Sequence, residues 1–325
     1  MDSKISRLLE QIKERYQFDD DSQLEKLLDG LADPRAKGVV YWDYIEVDTL
    51  LTLQKTKTTY PDEVVFIAYH QIHELYFKLI IQELEKITLE PEVDSNDPSL
   101  WEKSLTRITR YMYKLISSFD VLKNGLDPLE FFEFRKVLLP ASGFQTHQFR
   151  LIEVMLTSFE NLIRDEIRAG LVEKPTLAEY FKEIYWRHGV INASSGKEAK
   201  LLVNFNAKYD DLFHQELSTF REKNVYSRYE RSGEAFRTMV EPFLRKVEEC
   251  ILMWKIAHFH AISRQIPKED KGTGGTKWKE YLPVRNQKIY YFPSLWTERD
   301  LDIEIKRMKE EFPDKMMEEI KIILS

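Results

Sequence analysis

The chain has 325 residues, 43% of them hydrophobic, and a formal net charge of −7. That hydrophobic share supports a substantial core, and the acidic balance argues against a nucleic-acid or anionic-membrane partner, since both reward a basic surface. A single cysteine, Cys250, excludes a disulfide framework, a cysteine-rich zinc site and a Cys-x-x-Cys-His haem attachment, and it fits a reducing cytoplasm.

The chain opens on MDSKISRLLEQIKERYQFDDD, a charged amphipathic pattern without an apolar signal core. No later run approaches the ~18 uncharged apolar residues of a membrane span, so a cytoplasmic protein with no membrane partner is expected. Glycine is scarce, at 11 residues, and apolar residues recur every three or four positions. This spacing predicts helices near 2–17, 21–31, 45–55, 61–89, 98–124, 127–138, 144–169, 176–187, 207–222, 226–265 and 299–323. The helix from 61 has a sound start, with Pro61, Asp62 and Glu63 in its first turn. Residues 266–297 are the most irregular, and loops of that length inside helical domains are usually lids or binding loops. There is no run of alternating strands, internal repeat or low-complexity linker. The expectation is one all-α domain over 41–325, with a helical extension over 1–40.

Two helices carry histidine in a buried register. In VVFIAYHQIHELYFKLI (64–80), His70 and His73 lie between Phe66 and Phe77 on an otherwise apolar stretch. In the 226–265 segment, Val240, Leu244, Val247, Ile251, Trp254, His258 and Ile262 form one stripe, whereas His260 points elsewhere. Imidazole titrates near neutrality and takes a partner when buried, so each placement asks for a partner or a ligand. A satisfied core histidine is the plain alternative. Zinc peptidases need His-Glu-x-x-His, and His73-Glu74 is followed by Phe77 where the second ligand should stand. Carboxylate-bridged di-iron bundles need Glu-x-x-His, which no histidine here satisfies. Haem asks for one axial imidazole and an apolar slot, and it survives this elimination best.

Further along, Phe131 and Arg135 are an i, i+4 pair, an aromatic ring beside a guanidinium able to clamp a carboxylate. ASGFQ (141–145) is a turn that leads into a helix and makes backbone N–H groups available. KGTGGTKW (271–278) lacks the phosphate-loop spacing and a preceding strand; its glycines around Thr273 mark a loop able to approach a small polar group.

Taken together, these stretches resemble the tryptophan 2,3-dioxygenases. The matching segments are YWDYIEVDTLLTLQ (41–54), PDEVVFIAYHQIHELYFKLIIQEL (61–84), FFEFRKVLLPASGFQTHQFRLIE (131–153), WKIAHFH (254–260) and GTGGTKWKEYL…FPSLW (272–296). The resemblance implies an all-helical enzyme with haem b, active in the ferrous form, that inserts O2 into the indole C2–C3 bond of L-tryptophan and releases N-formyl-L-kynurenine. An alternative on the same scaffold inserts one oxygen atom, or acts on a substituted indole or another aromatic amino acid. By this match His258 is the proximal iron ligand, with Trp254 and Tyr281 near the haem. His70 bonds the indole N–H, and Phe66 packs the indole over the haem. Arg135 holds the substrate carboxylate, Phe131 borders the side chain, Thr273 meets the charged end, and Ser142 and Gly143 border the oxygen side. The family is typically a homotetramer, which implies that Tyr41, Tyr44 and Ile45 line a neighbour's pocket. Phe131 stands where many members carry tyrosine, so a hydroxyl is missing there.

Overall fold

The computed structural model describes residues 3–32, 40–89, 97–138, 141–163, 165–168, 170, 176–188, 200–266 and 290–296. Every regular element among them is helical, as the apolar spacing predicts. None of these helices is long and apolar enough to cross a membrane. The chain divides into two compact units, Met1–Lys55 and Thr56–Ser325.

The first unit holds α1 (Ser3–Tyr16), α2 (Asp21–Ala32), α3 (Tyr41–Tyr44) and α4 (Val47–Leu50). Lys13 near the end of α1 pairs with Asp21 at the start of α2. The helix expected over 45–55 is broken. Glu46 sits in the left-handed region at φ 52, which ends α3 and restarts the chain as a single turn. A side chain tolerates that conformation at a cost of about 1 kcal/mol, so a helix cannot run through it.

The second unit holds α5 (Asp62–Thr88), α6 (Pro98–Asn124), α7 (Pro128–Phe134), α8 (His147–Leu156), α9 (Asp165–Arg168), α10 (Leu177–Glu183), α11 (Tyr185–His188), α12 (Lys200–Phe220), α13 (Val225–Arg231) and α14 (Glu234–Gln265). Helix α6 is the spine and packs against both α5 and α14, while α8 packs against α5 and α12. Its buried residues Trp101, Leu105, Ile108, Met112, Leu115 and Phe119 alternate steps of four and three, which aligns them as one stripe. Asp97, Asp127, Thr176 and Asn224 each cap a helix start with a side-chain oxygen, satisfying N–H groups that have no partner within the helix.

Several expected boundaries shift. The 144–169 segment is α8, a short 3₁₀ stretch at Phe159–Leu162 and then α9, because Thr157 and Ser158 adopt extended backbone. The 226–265 segment is α13 and α14, separated by extended Ser232 and Gly233, with the Ser232 hydroxyl donating to the Tyr229 carbonyl. Helix α12 starts earlier than expected, at Lys200. The helix expected over 299–323 lies outside the described residues.

Two polar devices fix the helices around the site. At the starts of α5 and α7, the Asp127 N–H donates to Asp62 Oδ2 at 2.6 Å and the Asp62 N–H donates to Glu130 Oε2 at 3.3 Å. Each helix start thus supplies a carboxylate to the other. The second device is buried. Glu153 Oε1 accepts from the hydroxyls of Tyr185 (2.6 Å) and Tyr291 (2.7 Å) and lies 3.7 Å from Lys255 Nζ. Its other oxygen accepts from Arg150 at 3.1 Å. Lys255 also donates to the Tyr291 hydroxyl at 3.1 Å, and Glu248 accepts from the Tyr291 N–H and the Trp296 indole N–H. The network joins α8, α11, α14 and the 290–296 segment.

Removing one partner from such a set leaves charges buried and uncompensated, a cost of about 3–5 kcal/mol. Glu153→Gln should therefore lower the unfolding free energy by about that amount in urea titrations. Glu222→Gln, which removes an exposed pair with Arg231, should stay within about 0.5 kcal/mol.

Candidate active site

The site is built around three imidazoles in the second unit. On α5, the His70 Nδ1 lies 2.7 Å from the Phe66 carbonyl. A carbonyl only accepts, so Nδ1 carries the proton and Nε2 is left as an acceptor with no partner among the described residues. Burial lowers the His70 pKa, against the opposing pull of the Phe66 carbonyl and of Glu74. The ring therefore stays neutral at pH 7. The Phe66 ring lies 4.2 Å from that of His70, and beyond it stand Phe131 at 5.8 Å and Phe134 at 5.7 Å. These rings form an apolar wall shared by α5 and α7.

Arg135 follows directly. The expected helix over 127–138 ends at Phe134, and the chain tightens into a 3₁₀ turn from Arg135 to Leu138. Arg135 is 7% exposed, so its guanidinium does not lie on a solvated helix face. Its guanidinium lies 5.9 Å from the Phe132 ring centre.

The third imidazole is His258 on α14. Trp254, one turn earlier, stacks on it at 5.5 Å and 18°, and Phe119 of α6 lies 5.8 Å away. Trp254 is itself stacked on Phe149 at 4.8 Å and meets Phe77 edge-on at 5.9 Å. Burial pushes His258 down to about 3, with His73, His70 and Arg150 adding to the same effect. Neither ring nitrogen of His258 has a hydrogen-bond partner among the described residues. Like His70, it is half-buried. The Trp254 indole N–H is fully enclosed and has no hydrogen-bond partner among the described residues.

His73 is a satisfied core residue. Its Nδ1 donates to the Tyr69 carbonyl at 3.2 Å, and its Nε2 accepts from the Tyr69 hydroxyl at 3.0 Å. Phe119 lies between His73, at 5.5 Å, and His258. His260, expected to point away from the core, is itself half-buried, with Nε2 shielded from solvent.

Among the described residues, no three His, Cys, Asp or Glu side chains gather to hold an ion with protein ligands alone. At His258 the donor is a neutral imidazole in an aromatic enclosure, beside a buried indole N–H. That combination fits a flat apolar macrocycle that brings its own equatorial ligands and needs one axial nitrogen.

The turn after α7 approaches the same part of α5. Gly143–Gln145 is a 3₁₀ turn, and a Cβ added to Gly143 would meet nothing within 4 Å. Thr146 Oγ1 donates to Glu74 Oε1 at 2.6 Å, and Gln148 Nε2 donates to Glu74 Oε2 at 2.7 Å and to its carbonyl at 2.9 Å. Glu74 was not singled out by sequence reasoning; its place one turn beyond His70 was the available signal. Of the remaining expected site residues, Thr273 and Tyr281 lie outside the described residues. Tyr41, Tyr44 and Ile45 belong to the first unit, where they are 71%, 75% and 39% exposed.

Comparison with known proteins bears directly on this arrangement. The family model described as tryptophan 2,3-dioxygenase matches residues 29–166. The protein of that name from Ruegeria sp. (strain TM1040) is 29% identical over 272 residues, 81% of this chain and 93% of the relative. The one from Geobacillus thermodenitrificans (strain NG80-2) is 30% identical over 270 residues, 80% of this chain and 91% of the relative. The chain belongs to the tryptophan 2,3-dioxygenase family. The one from Bacillus anthracis, 29% identical over 279 residues, covers 81% of the chain and 92% of the relative. Family membership agrees with the all-helical second unit.

The buried imidazoles make stability depend on pH. Burial holds His73 at about 4, against an ordinary value of 6.5. The unfolded chain takes up a proton there that the folded chain refuses, so stability is lost as pH falls below about 6.5. Between pH 7 and pH 5 this one residue should account for a loss of ~2 kcal/mol in urea titrations. In His73→Phe that part of the pH dependence should vanish, even though the variant starts less stable.

Proposed function

We propose that this chain is a haem-dependent dioxygenase that opens the indole C2–C3 bond of L-tryptophan with O2 to give N-formyl-L-kynurenine. Membership of the family supports the reaction class, and its relatives carry the name tryptophan 2,3-dioxygenase. The observation that carries the proposal is a neutral imidazole, His258, with neither ring nitrogen partnered among the described residues and a stacked indole at its side. His258 would hold haem b, with Trp254 and, by the sequence match, Tyr281 beside it. Haem, when bound, supplies the iron chemistry that activates dioxygen in the ferrous state.

The chain's own residues bind and orient the substrate. His70 presents Nε2 as an acceptor for the indole N–H, because Nδ1 is already committed to the Phe66 carbonyl. It need not remove that proton; a fixed acceptor is enough to set the ring's rotation. Phe66 and Phe131, whose rings lie 5.8 Å apart, would give the indole an apolar border. Arg135 would take the carboxylate in bidentate fashion, and Thr273 would meet the charged end of the amino acid. Ser142 and Gly143 would border the oxygen side, where the open space beside Gly143 leaves room. Holding the ring against dioxygen is a positioning task, worth many-fold in rate once geometry is fixed.

The proposed assembly is a homotetramer in which Tyr41, Tyr44 and Ile45 complete a neighbour's pocket. Their exposure supports this, as does the apolar outer face of α5, where Val64, Ile72, Leu75 and Leu79 are exposed. A cytoplasmic setting accords with the single cysteine.

The deciding test is oxygen counting. Purified enzyme given L-tryptophan and ¹⁸O2 should yield formylkynurenine carrying both labelled atoms; a single labelled atom would instead assign a monooxygenase. His258→Ala should purify largely colourless, and full haem occupancy in that variant would reassign the ligand to another residue such as His260. Arg135→Leu should raise KM for tryptophan and lower kcat/KM by about 2–3 kcal/mol. Unchanged kinetics would place the carboxylate elsewhere.

A further inference from the structure

Thr146 is the N-cap of α8, yet its side chain makes no capping bond. Threonine there ordinarily accepts from an N–H in the first turn, an arrangement worth about 1 kcal/mol. Other helix starts among the described residues use their capping side chains in that way, at Asp97, Asp127, Thr176 and Asn224. At Thr146 the hydroxyl turns instead to Glu74 Oε1, at 2.6 Å. Gln148, two residues later, takes the second carboxylate oxygen at 2.7 Å and the Glu74 carbonyl at 2.9 Å. Local helix stability is given up at one end of α8 to tie that end to α5. The tie falls one turn beyond His70. It also closes the turn that begins at Ser142, in which Gln145 N–H donates to the Ser142 carbonyl at 2.9 Å and Thr146 N–H to the Gly143 carbonyl at 3.2 Å.

We infer that Glu74 is a positioning residue for the proposed reaction: through Thr146 and Gln148 it locks the Ser142–Thr146 turn against the helix that carries Phe66 and His70. This rests on the proposed function for its catalytic consequence, but the locking itself is measurable without turnover. Glu74 touches neither the indole nor the iron in this scheme. Its charge also raises the His70 pKa, against the effect of burial. Loss of the carboxylate should release the turn, so that Ser142 and Gly143 no longer hold one geometry beside the bound ring. Hydrogen bonds to a charged acceptor are the stronger kind, and two of them converge here.

The test uses full-length protein and two substitutions. In Glu74→Ala, amide exchange followed by mass spectrometry should quicken about tenfold or more in peptides covering 142–148, with peptides from 98–124 unchanged. In the haem-loaded enzyme, kcat for L-tryptophan should fall about tenfold while KM moves less than about twofold, since Arg135 is untouched. Glu74→Gln keeps one acceptor for Gln148 and offers Thr146 a donor in place of the lost oxygen. It should restore most of the exchange protection and most of kcat, and it covers the case in which the alanine variant folds poorly. A purely structural role would lower melting temperature in both variants and leave kcat per folded enzyme unchanged, which would overturn the inference. So would exchange over 142–148 equal to that of the parent. A parent protein that protects this turn but does not consume tryptophan would overturn the proposed function instead.

Discussion

The cost of burying an imidazole organises this molecule. A charged histidine in a dry aromatic interior is expensive, and a neutral one is affordable only if its nitrogens have partners or a ligand. His73 meets that condition within the protein, through both the hydroxyl and the carbonyl of Tyr69. Among the described residues His70 meets it at one nitrogen only, and His258 at neither. The graded satisfaction of the three rings separates structure from site: the residue the fold has completed is core, and those it leaves incomplete await something else. Around them Phe66, Phe77, Phe119, Phe149 and Trp254 keep the environment apolar enough for all three to remain neutral.

The long helices were legible because their patterns are locally complete. Apolar spacing, Pro61 with two acids at one start, and the stripe leading to His258 all survive in α5, α6 and α14. Breaks were harder to read. Glu46 in the left-handed region and the extended pairs Thr157-Ser158 and Ser232-Gly233 interrupt segments whose apolar rhythm continues across them. Periodicity reports which face is buried and is blind to a change of direction between two helices that bury the same face.

The site divides in the same way. His70, Phe66, Phe131, Arg135 and His258 sit on helices or at their ends, so spacing and family resemblance both reach them. Glu74 escaped because its meaning depends on Thr146 and Gln148, more than seventy residues away, and no local pattern links them. The Glu153 network escaped for a related reason. Its members come from α8, α11, α14 and the 290–296 segment, and each residue alone looks like an ordinary polar side chain on a helix or loop.

The reciprocal carboxylates of Asp62 and Glu130, which accept from the backbone N–H groups of Asp127 and Asp62, lock the starts of α5 and α7 together. Phe66 stands one turn inside the first of these helices, and Arg135 closes the second. In the proposed scheme the aromatic slot and the guanidinium therefore sit at a set separation, and neither can slide to follow the other. The pair acts as a gauge for length. An amino acid whose ring and carboxylate are one methylene closer or farther apart would reach only one of the two contacts, so selection would fall on the backbone-to-ring distance more strictly than on what the ring itself carries.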